Sequence, residues 1–178
     1  MKQFLILLFF LPVVCLAQPS DHSFSTPEHS SAVAATTWQV IARPTVRNPL
    51  NAFYRFTFNE GQYFLELKVS AGGVPFVVAR NAELELETEH GAIVTVYNST
   101  YRHSCKGCGS RHAESNIEGV TLNFPIPVAA IHTLCDDYLA HLRLYLADSQ
   151  LGSKVTLLRS EQFRDELSAF FADCKLHQ

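Results

Sequence analysis

The sequence predicts an α+β fold: an antiparallel, sandwich-like or strongly curved sheet of about seven to nine strands, with two helices packed on one face. Three observations support this prediction. Apolar and polar residues alternate in most runs between Trp38 and Leu158, which is the period of a half-buried strand. Clusters of turn residues separate these runs. The last run, near residues 160–174, instead has the 3.6-residue period of an amphipathic helix.

The first strands are predicted to form a hairpin rich in aromatic residues. The run Tyr54–Phe58 alternates, Asn59-Glu60-Gly61 supplies a turn, and Tyr63–Val69 alternates again. Ala71-Gly72-Gly73 then interrupts the pattern, and the run from Val74 to Ala79 predicts a short strand.

A second hairpin is predicted over Ala82–Glu89 and Ala92–Tyr97, with His90-Gly91 as its turn. The polar positions of its first strand are glutamates, namely Glu83, Glu85, Glu87 and Glu89. Such a row is typical of a solvated face, where charge discourages pairing with other sheets. A cation-binding face is the alternative, although a flat row lacks the enclosing geometry that calcium prefers.

The middle of the chain predicts a loop and a short helix. Residues Asn98–Glu118 are polar and contain two of the glycines, so we expect a loop there, followed by a strand over Val120–Phe124. Pro127 can occupy the first turn of a helix that extends from Val128 to about Cys135. The alternating run Tyr138–Ala147 predicts another strand.

The last elements are a strand and the C-terminal helix. Ser149-Gln150-Leu151-Gly152 is interpreted as a turn into a strand over Lys154–Leu158. Ser160 is a candidate N-cap for the helix. The apolar stripe that this helix would bury consists of Phe163, Leu167, Phe170, Phe171 and Cys174.

The N-terminus has the layout of a secretory signal peptide, which predicts export to the periplasm, the cell envelope or the medium. Lys2 precedes an apolar run that ends near Leu16, and Cys15 and Ala17 supply small residues before a cut after residue 17. The run is shorter than the roughly 18–20 residues that span a bilayer. A loose similarity to lipoprotein signals would make Cys15 a lipidation site, which is the one membrane contact we predict. Residues 18–37 are interpreted as a flexible lead-in, and residues 38–178 as a single β-rich domain.

The composition and motifs favour a non-catalytic module over an enzyme, with no cofactor and with a ligand that the sequence does not specify. The net charge of −3 argues against nucleic-acid binding, which requires a basic surface. No phosphate-binding or nucleophile-elbow motif occurs. Asp136-Asp137 is more typical of a solvated turn than of a general acid and base. Asn98-Ser99-Thr100 matches the N-glycosylation sequon, which has meaning only in a eukaryotic secretory pathway.

The cysteines are the residues with the clearest potential for chemistry. The four that remain after signal removal are Cys105, Cys108, Cys135 and Cys174. An even number in an exported chain indicates disulfides, and four cysteines allow three connectivities. We favour Cys105–Cys108 with Cys135–Cys174, because the last two end helices that could pack side by side. The alternative for Cys135 and Cys174 is that they are buried thiols.

Two other interpretations of the cysteine loop remain open. His103, Cys105, Cys108 and His112 could together bind zinc, and Cys-x-x-Cys-Gly is similar to one knuckle of a zinc ribbon, although a second knuckle is missing. Cys105 and Cys108 could instead form the redox pair of a thiol–disulfide oxidoreductase, although no helical pattern follows them. Covalent haem is excluded because Gly109 stands where that motif needs histidine.

One resemblance to a known family depends on the same region. Two short stretches carry it: Tyr97–Thr100 and Ser104-Cys105-Lys106-Gly107-Cys108-Gly109. They are followed by a predicted strand, a short predicted helix and the sequence HLRLYL at residues 141–146. This arrangement resembles an uncharacterised family of small exported bacterial proteins over most of residues 50–158. The resemblance implies export and a β-rich fold, and it implies no activity. His112 lies outside the pattern.

Overall fold

A computed structural model of the protein describes residues 34–46, 50–72, 75–108 and 117–176, which contain twelve strands and two helices. The predicted signal peptide, with Cys15, and residues 18–33 of the predicted lead-in lie outside the described residues. The strands are β1 (Ala34–Ala35), β2 (Gln39–Ala42), β3 (Leu50–Asn59), β4 (Gln62–Ala71), β5 (Val77–Val78), β6 (Glu83–Thr88), β7 (Ile93–Tyr97), β8 (Arg102–His103), β9 (Cys105–Lys106), β10 (Glu118–Ile126), β11 (Leu139–Tyr145) and β12 (Gln150–Lys154). The helices are α1 (Val128–Asp136) and α2 (Leu157–Leu176).

The first sheet is built around the β3–β4 hairpin, and its strands pair in the order β1-β3-β4-β10-β9. Strand β2 pairs with β3 further along the edge that β1 occupies. All these pairings are antiparallel. Glu60 and Gly61 form the hairpin turn, and both have positive φ, at 50° and 78°. A two-residue turn of this kind matches the twist of its flanking strands and favours glycine at the second position. The predicted aromatic hairpin is therefore confirmed.

The second sheet has the order β12-β11-β6-β7 and is also antiparallel. Glutamates of β6 lie on its outer face, while Leu84 and Leu86 point into the core. Arg143 of β11 forms ion pairs with both Glu85 and Glu87 across the strands. The positive charge beside this row of glutamates is therefore supplied by Arg143, whose guanidinium relieves the repulsion between neighbouring glutamates.

The inner faces of both sheets and the buried faces of both helices share one hydrophobic core. Helix α2 contacts β2 and β3 of the first sheet and β11 of the second, and α1 packs against α2. Phe163 lies with its ring centroid 5.0 Å from Tyr54 and 5.2 Å from Phe56, and the Tyr54 hydroxyl donates a hydrogen bond to Glu166 at 2.9 Å. Burial, with this carboxylate beside the hydroxyl, raises the pKa of Tyr54.

The predicted α+β architecture, with a short helix and a C-terminal helix, is confirmed.

The folded domain begins earlier than the predicted boundary at Trp38. Ala34 and Ala35 pair with Phe58 and Thr57 of β3. The Thr36 amide then donates to the Phe56 carbonyl at 2.9 Å, and the Thr36 hydroxyl accepts from the Phe56 amide at 3.0 Å. The end of the predicted lead-in is thus a strand of the first sheet. Its small side chains carry no alternating pattern that would have predicted it.

The C-terminal strand and helix also begin earlier than predicted. Residues Gln150–Lys154, interpreted as a turn and its exit, form β12 by pairing with β11. Helix α2 begins at Leu157, and its early amides, those of Arg159 and Ser160, donate to the Thr156 carbonyl. Ser160 is therefore not the N-cap: it lies inside the helix and is 1% exposed. The predicted strand lies too late in the chain because Leu157 and Leu158 continue its apolar pattern, whereas both are exposed residues at the start of the helix.

Asp137 fixes the connection between α1 and β11. Its carboxylate accepts hydrogen bonds from the His90 amide at 3.0 Å and from the Tyr138 amide at 2.7 Å, and its Oδ1 lies 2.8 Å from His90 Nδ1. The pKa of Asp137 is lowered, chiefly by a hydrogen bond from the Thr88 hydroxyl and then by those from His90 and Tyr138. The carboxylate raises the pKa of His90 in return. Asp137 therefore joins the end of α1 to the β6–β7 turn.

Candidate functional site

A cleft of about 450 Å³ lies on the outer face of the first sheet, beside the cysteine loop. Strands β4 and β10 form its floor, and the segment Asn98–Cys108 forms its wall. We call it the cysteine cleft. Its polar lining comes from Glu66, Thr100, Arg102, His103, Thr121 and Asn123, and Cys105 and Cys108 complete the wall.

Asn98 anchors the start of this wall. Its side chain is 0% exposed, and its Nδ2 donates to the carbonyl of Ala79 at 3.1 Å and to the carbonyl of Thr100. Its backbone amide donates to the Ala82 carbonyl at 2.9 Å. Nδ2 is the atom to which a glycan would be attached, and it is buried and hydrogen-bonded. In the folded protein, the sequon residue therefore shapes a loop.

Two serines attach the wall to the sheet. The amide and hydroxyl of Ser99 both donate to the Asn123 carbonyl, at 3.0 and 3.1 Å. The hydroxyl of Ser104 accepts from the Phe76 amide and donates to the Glu118 carboxylate, each at 2.9 Å. The amide of Ser104 donates to the Phe76 carbonyl at 2.9 Å, beside the pairing of β8 with β5. The segment predicted to be a loop is therefore extensively hydrogen-bonded. Sequence reasoning missed Ser104 and Glu118, because single polar residues in a polar stretch give no pattern.

A disulfide joins Cys105 to Cys108 at the rim of the cleft, with the two Cα atoms 5.4 Å apart. Both residues are exposed. Cys105 pairs with Gly119 of β10, and the Cys108 amide donates to the Cys105 carbonyl at 3.2 Å across the turn. Gly107, at φ 78°, supplies the left-handed conformation that this turn requires. The first of the two favoured disulfides is thus present.

The second favoured disulfide is not formed, because Cys135 and Cys174 are both free thiols. Cys135 of α1 forms a hydrogen bond with Ser168 of α2, six residues before Cys174. Six residues correspond to about 9 Å along a helix axis, which is beyond the Cβ–Cβ reach of a disulfide. Burial raises the pKa of both thiols. The alternative interpretation as buried thiols fits Cys174, which lies in the core, whereas Cys135 is free but only partly buried.

The predicted zinc ligands are brought together only in part. His103, Cys105 and Cys108 all line the cleft, whereas His112 lies outside the described residues. A disulfide offers no thiolate, which is the form of cysteine that binds zinc. Within the described ranges, no group of three or more His, Cys, Asp or Glu side chains is arranged to hold a metal ion.

The charges in the cleft are unevenly compensated. Glu66 is its carboxylate, and Arg55 Nε donates to Glu66 at 2.7 Å. Arg55 and Lys68 also lie over the Trp38 ring, 4.7 and 4.4 Å from its centroid. Arg102 is exposed and forms no ion pair with any described residue. Asn123 Oδ1 is buried and accepts no hydrogen bond from the described part of the chain.

No protein-family model, curated protein or solved structure matches the chain. The resemblance to a family of exported bacterial proteins stays a prediction. None of the described helices is long and apolar enough to cross a membrane. The chemistry of the cysteine cleft therefore has to be inferred from its own geometry.

Proposed function

We propose that the protein is a non-catalytic, exported, β-rich binding module that holds a small ligand in the cysteine cleft. One observation carries the proposal: a cleft of about 450 Å³ is lined by Arg102, which forms no ion pair with a described residue, and by Asn123, whose Oδ1 accepts no hydrogen bond from the described residues. This volume lies in the range of small-molecule sites, which combine a concave shape with a few well-placed polar groups.

The construction of the cleft wall supports binding. Asn98, Ser99 and Ser104 attach the wall to the strands around it, and the Cys105–Cys108 disulfide closes its last turn. A wall held in this way has little conformational freedom left to lose when a ligand binds. Preorganisation of this kind improves affinity.

Export is supported by the predicted signal peptide together with the exposed disulfide. A solvent-exposed disulfide persists in oxidising compartments and is rare in the reducing cytosol. The periplasm, the cell envelope and the medium are all compatible with this chemistry.

Thiol–disulfide exchange is the second candidate, favoured by the exposure of both cysteines in a cleft that His103 also lines. A substrate dithiol would be oxidised to its disulfide while Cys105 and Cys108 take up its two electrons and two protons. We place this second because the pair lies in a β-turn and neither described helix begins at Cys105 or Cys108, whereas catalytic pairs of this kind stand at a helix N-terminus. Zinc binding is the third candidate and requires the same cysteines in reduced form, with His103 and His112.

A variant that fills the cleft tests the binding function. Thr121 is exposed on β10 and lines the cleft, so Thr121→Phe should obstruct it. Thr95→Phe is the matched control, since Thr95 is also exposed and lies on β7 of the other sheet. Saturation-transfer NMR of the purified protein with a library of small polar compounds should detect ligands that bind wild type and Thr95→Phe but not Thr121→Phe.

Two results would overturn the proposal: no ligand from the library, or ligands that bind Thr121→Phe as well as wild type. Accelerated reduction of a model disulfide by dithiothreitol, lost in Cys105→Ser, would favour the exchange reaction instead. Stoichiometric zinc in protein purified without added metal and under reducing conditions would favour the metal site.

A further inference from the structure

We propose that the cysteine cleft selects small organic acids that also carry a hydroxyl or amino group, with Arg102 binding the carboxylate. This inference rests on the binding function proposed above and specifies its ligand. The class includes hydroxy acids and amino acids.

The uncompensated charge of the cleft is positive. Glu66 is its carboxylate, and the guanidinium of Arg55 neutralises it at 2.7 Å. Arg102 in the wall has no carboxylate partner in the described ranges, and it offers a planar set of donors that matches a carboxylate. The chain as a whole carries a net charge of −3, so this face opposes the overall charge. A concave site with such a local potential concentrates anions.

The floor of the cleft adds a second requirement. Asn123 Oδ1 is buried and unpartnered within the described structure, and Asn123 pairs with Glu66 across the β4–β10 ladder. A carbonyl oxygen beside a carboxylate needs an N–H or O–H donor. A ligand that brings such a donor to this oxygen forms one more hydrogen bond than a ligand without donors. An anion without donor groups would satisfy Arg102 and leave Asn123 unsatisfied.

The two requirements come from different elements of the cleft. Arg102 belongs to β8 in the wall, whereas Asn123 belongs to β10 in the floor. A ligand that meets both must carry an acid group and a donor group. A single unpaired guanidinium and a volume of about 450 Å³ favour a small molecule over a polyanion.

The test uses ligands that differ in one property at a time. Titrations monitored by amide NMR shifts and calorimetry would use L-malate, L-tartrate, L-glutamate and L-aspartate as acids with donors. Succinate is the acid without a donor, and the diamides of malate and tartrate are the uncharged counterparts. At least one acid with a donor should bind and shift amides of β10 and of the wall, and succinate and the diamides should bind at least about tenfold more weakly.

Two variants assign the carboxylate to its partner. Arg102→Gln should weaken the bound acid by about 10- to 100-fold, the effect of losing a charged hydrogen bond. Lys154→Gln is the control, since Lys154 is an exposed cation on β12 of the other sheet, and it should leave the affinity unchanged. Arg102 joins β8 through its backbone, so far-UV circular dichroism and the melting temperature of Arg102→Gln should match wild type.

The outcomes separate this inference from the binding function. Unchanged acid binding by Arg102→Gln, or diamides that bind as tightly as their acids, overturns the proposed ligand class. If uncharged compounds bind in the cleft and the acids do not, the binding function stands and the ligand class is wrong. If no compound binds in the cleft, the binding function itself fails.

Discussion

Replacing Asn98 with alanine should destabilise the domain and loosen the wall of the cysteine cleft. Asn98 is 0% exposed, and its Nδ2 donates to the carbonyls of Ala79 and Thr100. Alanine removes both donors from a side-chain site that is closed to solvent in the wild-type protein. The Ala79 carbonyl keeps its contact with the Ala82 amide at 3.1 Å, whereas the Thr100 carbonyl lies in an exposed residue that solvent can partly satisfy.

The magnitude follows from these two acceptors. Neither acceptor is left buried without any partner, so each lost hydrogen bond should cost about 0.5–1.5 kcal/mol. The two losses together should lower the free energy of unfolding by about 1–3 kcal/mol. Asn98→Asp should cost more, because it buries a carboxylate that faces two carbonyl oxygens.

Urea unfolding measures the effect through Trp38, which is the sole tryptophan and contacts the first sheet through Arg55 and Lys68. Thr95→Ala, an exposed change on β7, is the control and should shift the free energy of unfolding by less than about 0.5 kcal/mol. An Asn98→Ala variant as stable as this control would refute the assignment of Asn98 as the anchor of the wall.

Other predictions concern the core, the pH dependence of stability and the cysteines. Phe163 is 1% exposed, so Phe163→Ala should lower the free energy of unfolding, measured in urea, by about 3–5 kcal/mol. Leu158 is 76% exposed, so the control variant Leu158→Ala should change it little. Equal effects of the two variants would contradict the packing of α2. The lowered pKa of Asp137 means that its stabilising contribution is present above the pKa of an unfolded aspartate, about 3.9, and is lost as the pH falls through the folded value. Urea titrations from about pH 7 to about pH 3 should therefore show a steeper loss of stability for wild type than for Asp137→Asn, and parallel curves would disprove the linkage. Alkylation of denatured, unreduced protein should label Cys135 and Cys174 and spare the disulfide-bonded pair; peptide mass spectrometry that finds label on the pair would exclude the disulfide.

The sequence predicts the parts of the fold in which one periodicity persists over many residues. The alternation from Tyr54 to Val69 decides which side chains face the core, and the structure buries Tyr54, Phe56, Leu65 and Leu67 as that pattern requires. The same holds for the stripe of α2 that begins at Phe163. Elements without a repeated pattern, such as the two-residue strand β1, depend on pairing with a distant strand, so local sequence does not reveal them.

The candidate site was predicted only through its cysteines. Cys105, Cys108 and His103 were predicted from their spacing, because disulfide and metal chemistry impose recognisable intervals. Asn98, Ser104 and Asn123 position or line the cleft through contacts between residues far apart in the chain. The Ser104 hydroxyl bonds the Phe76 amide 28 residues away, and Asn98 bonds the Ala79 carbonyl 19 residues away. Such pairs become visible only when the strands are in register.

The position of the disulfide indicates what it stabilises. Cys105 and Cys108 are three residues apart, so closing their loop removes little entropy from the unfolded chain and contributes about 2 kcal/mol in the chain-entropy description. A Cys135–Cys174 disulfide would close a loop of about forty residues and contribute about 4 kcal/mol, yet those thiols are free. The described domain thus forms the disulfide with the smaller effect on global stability, at the rim of the cleft. Its physical consequence is local: it restricts the end of the wall that Gly107 turns back toward β10. This restriction fits the binding function proposed for the cleft better than a role in the stability of a core that already unites both sheets and both helices.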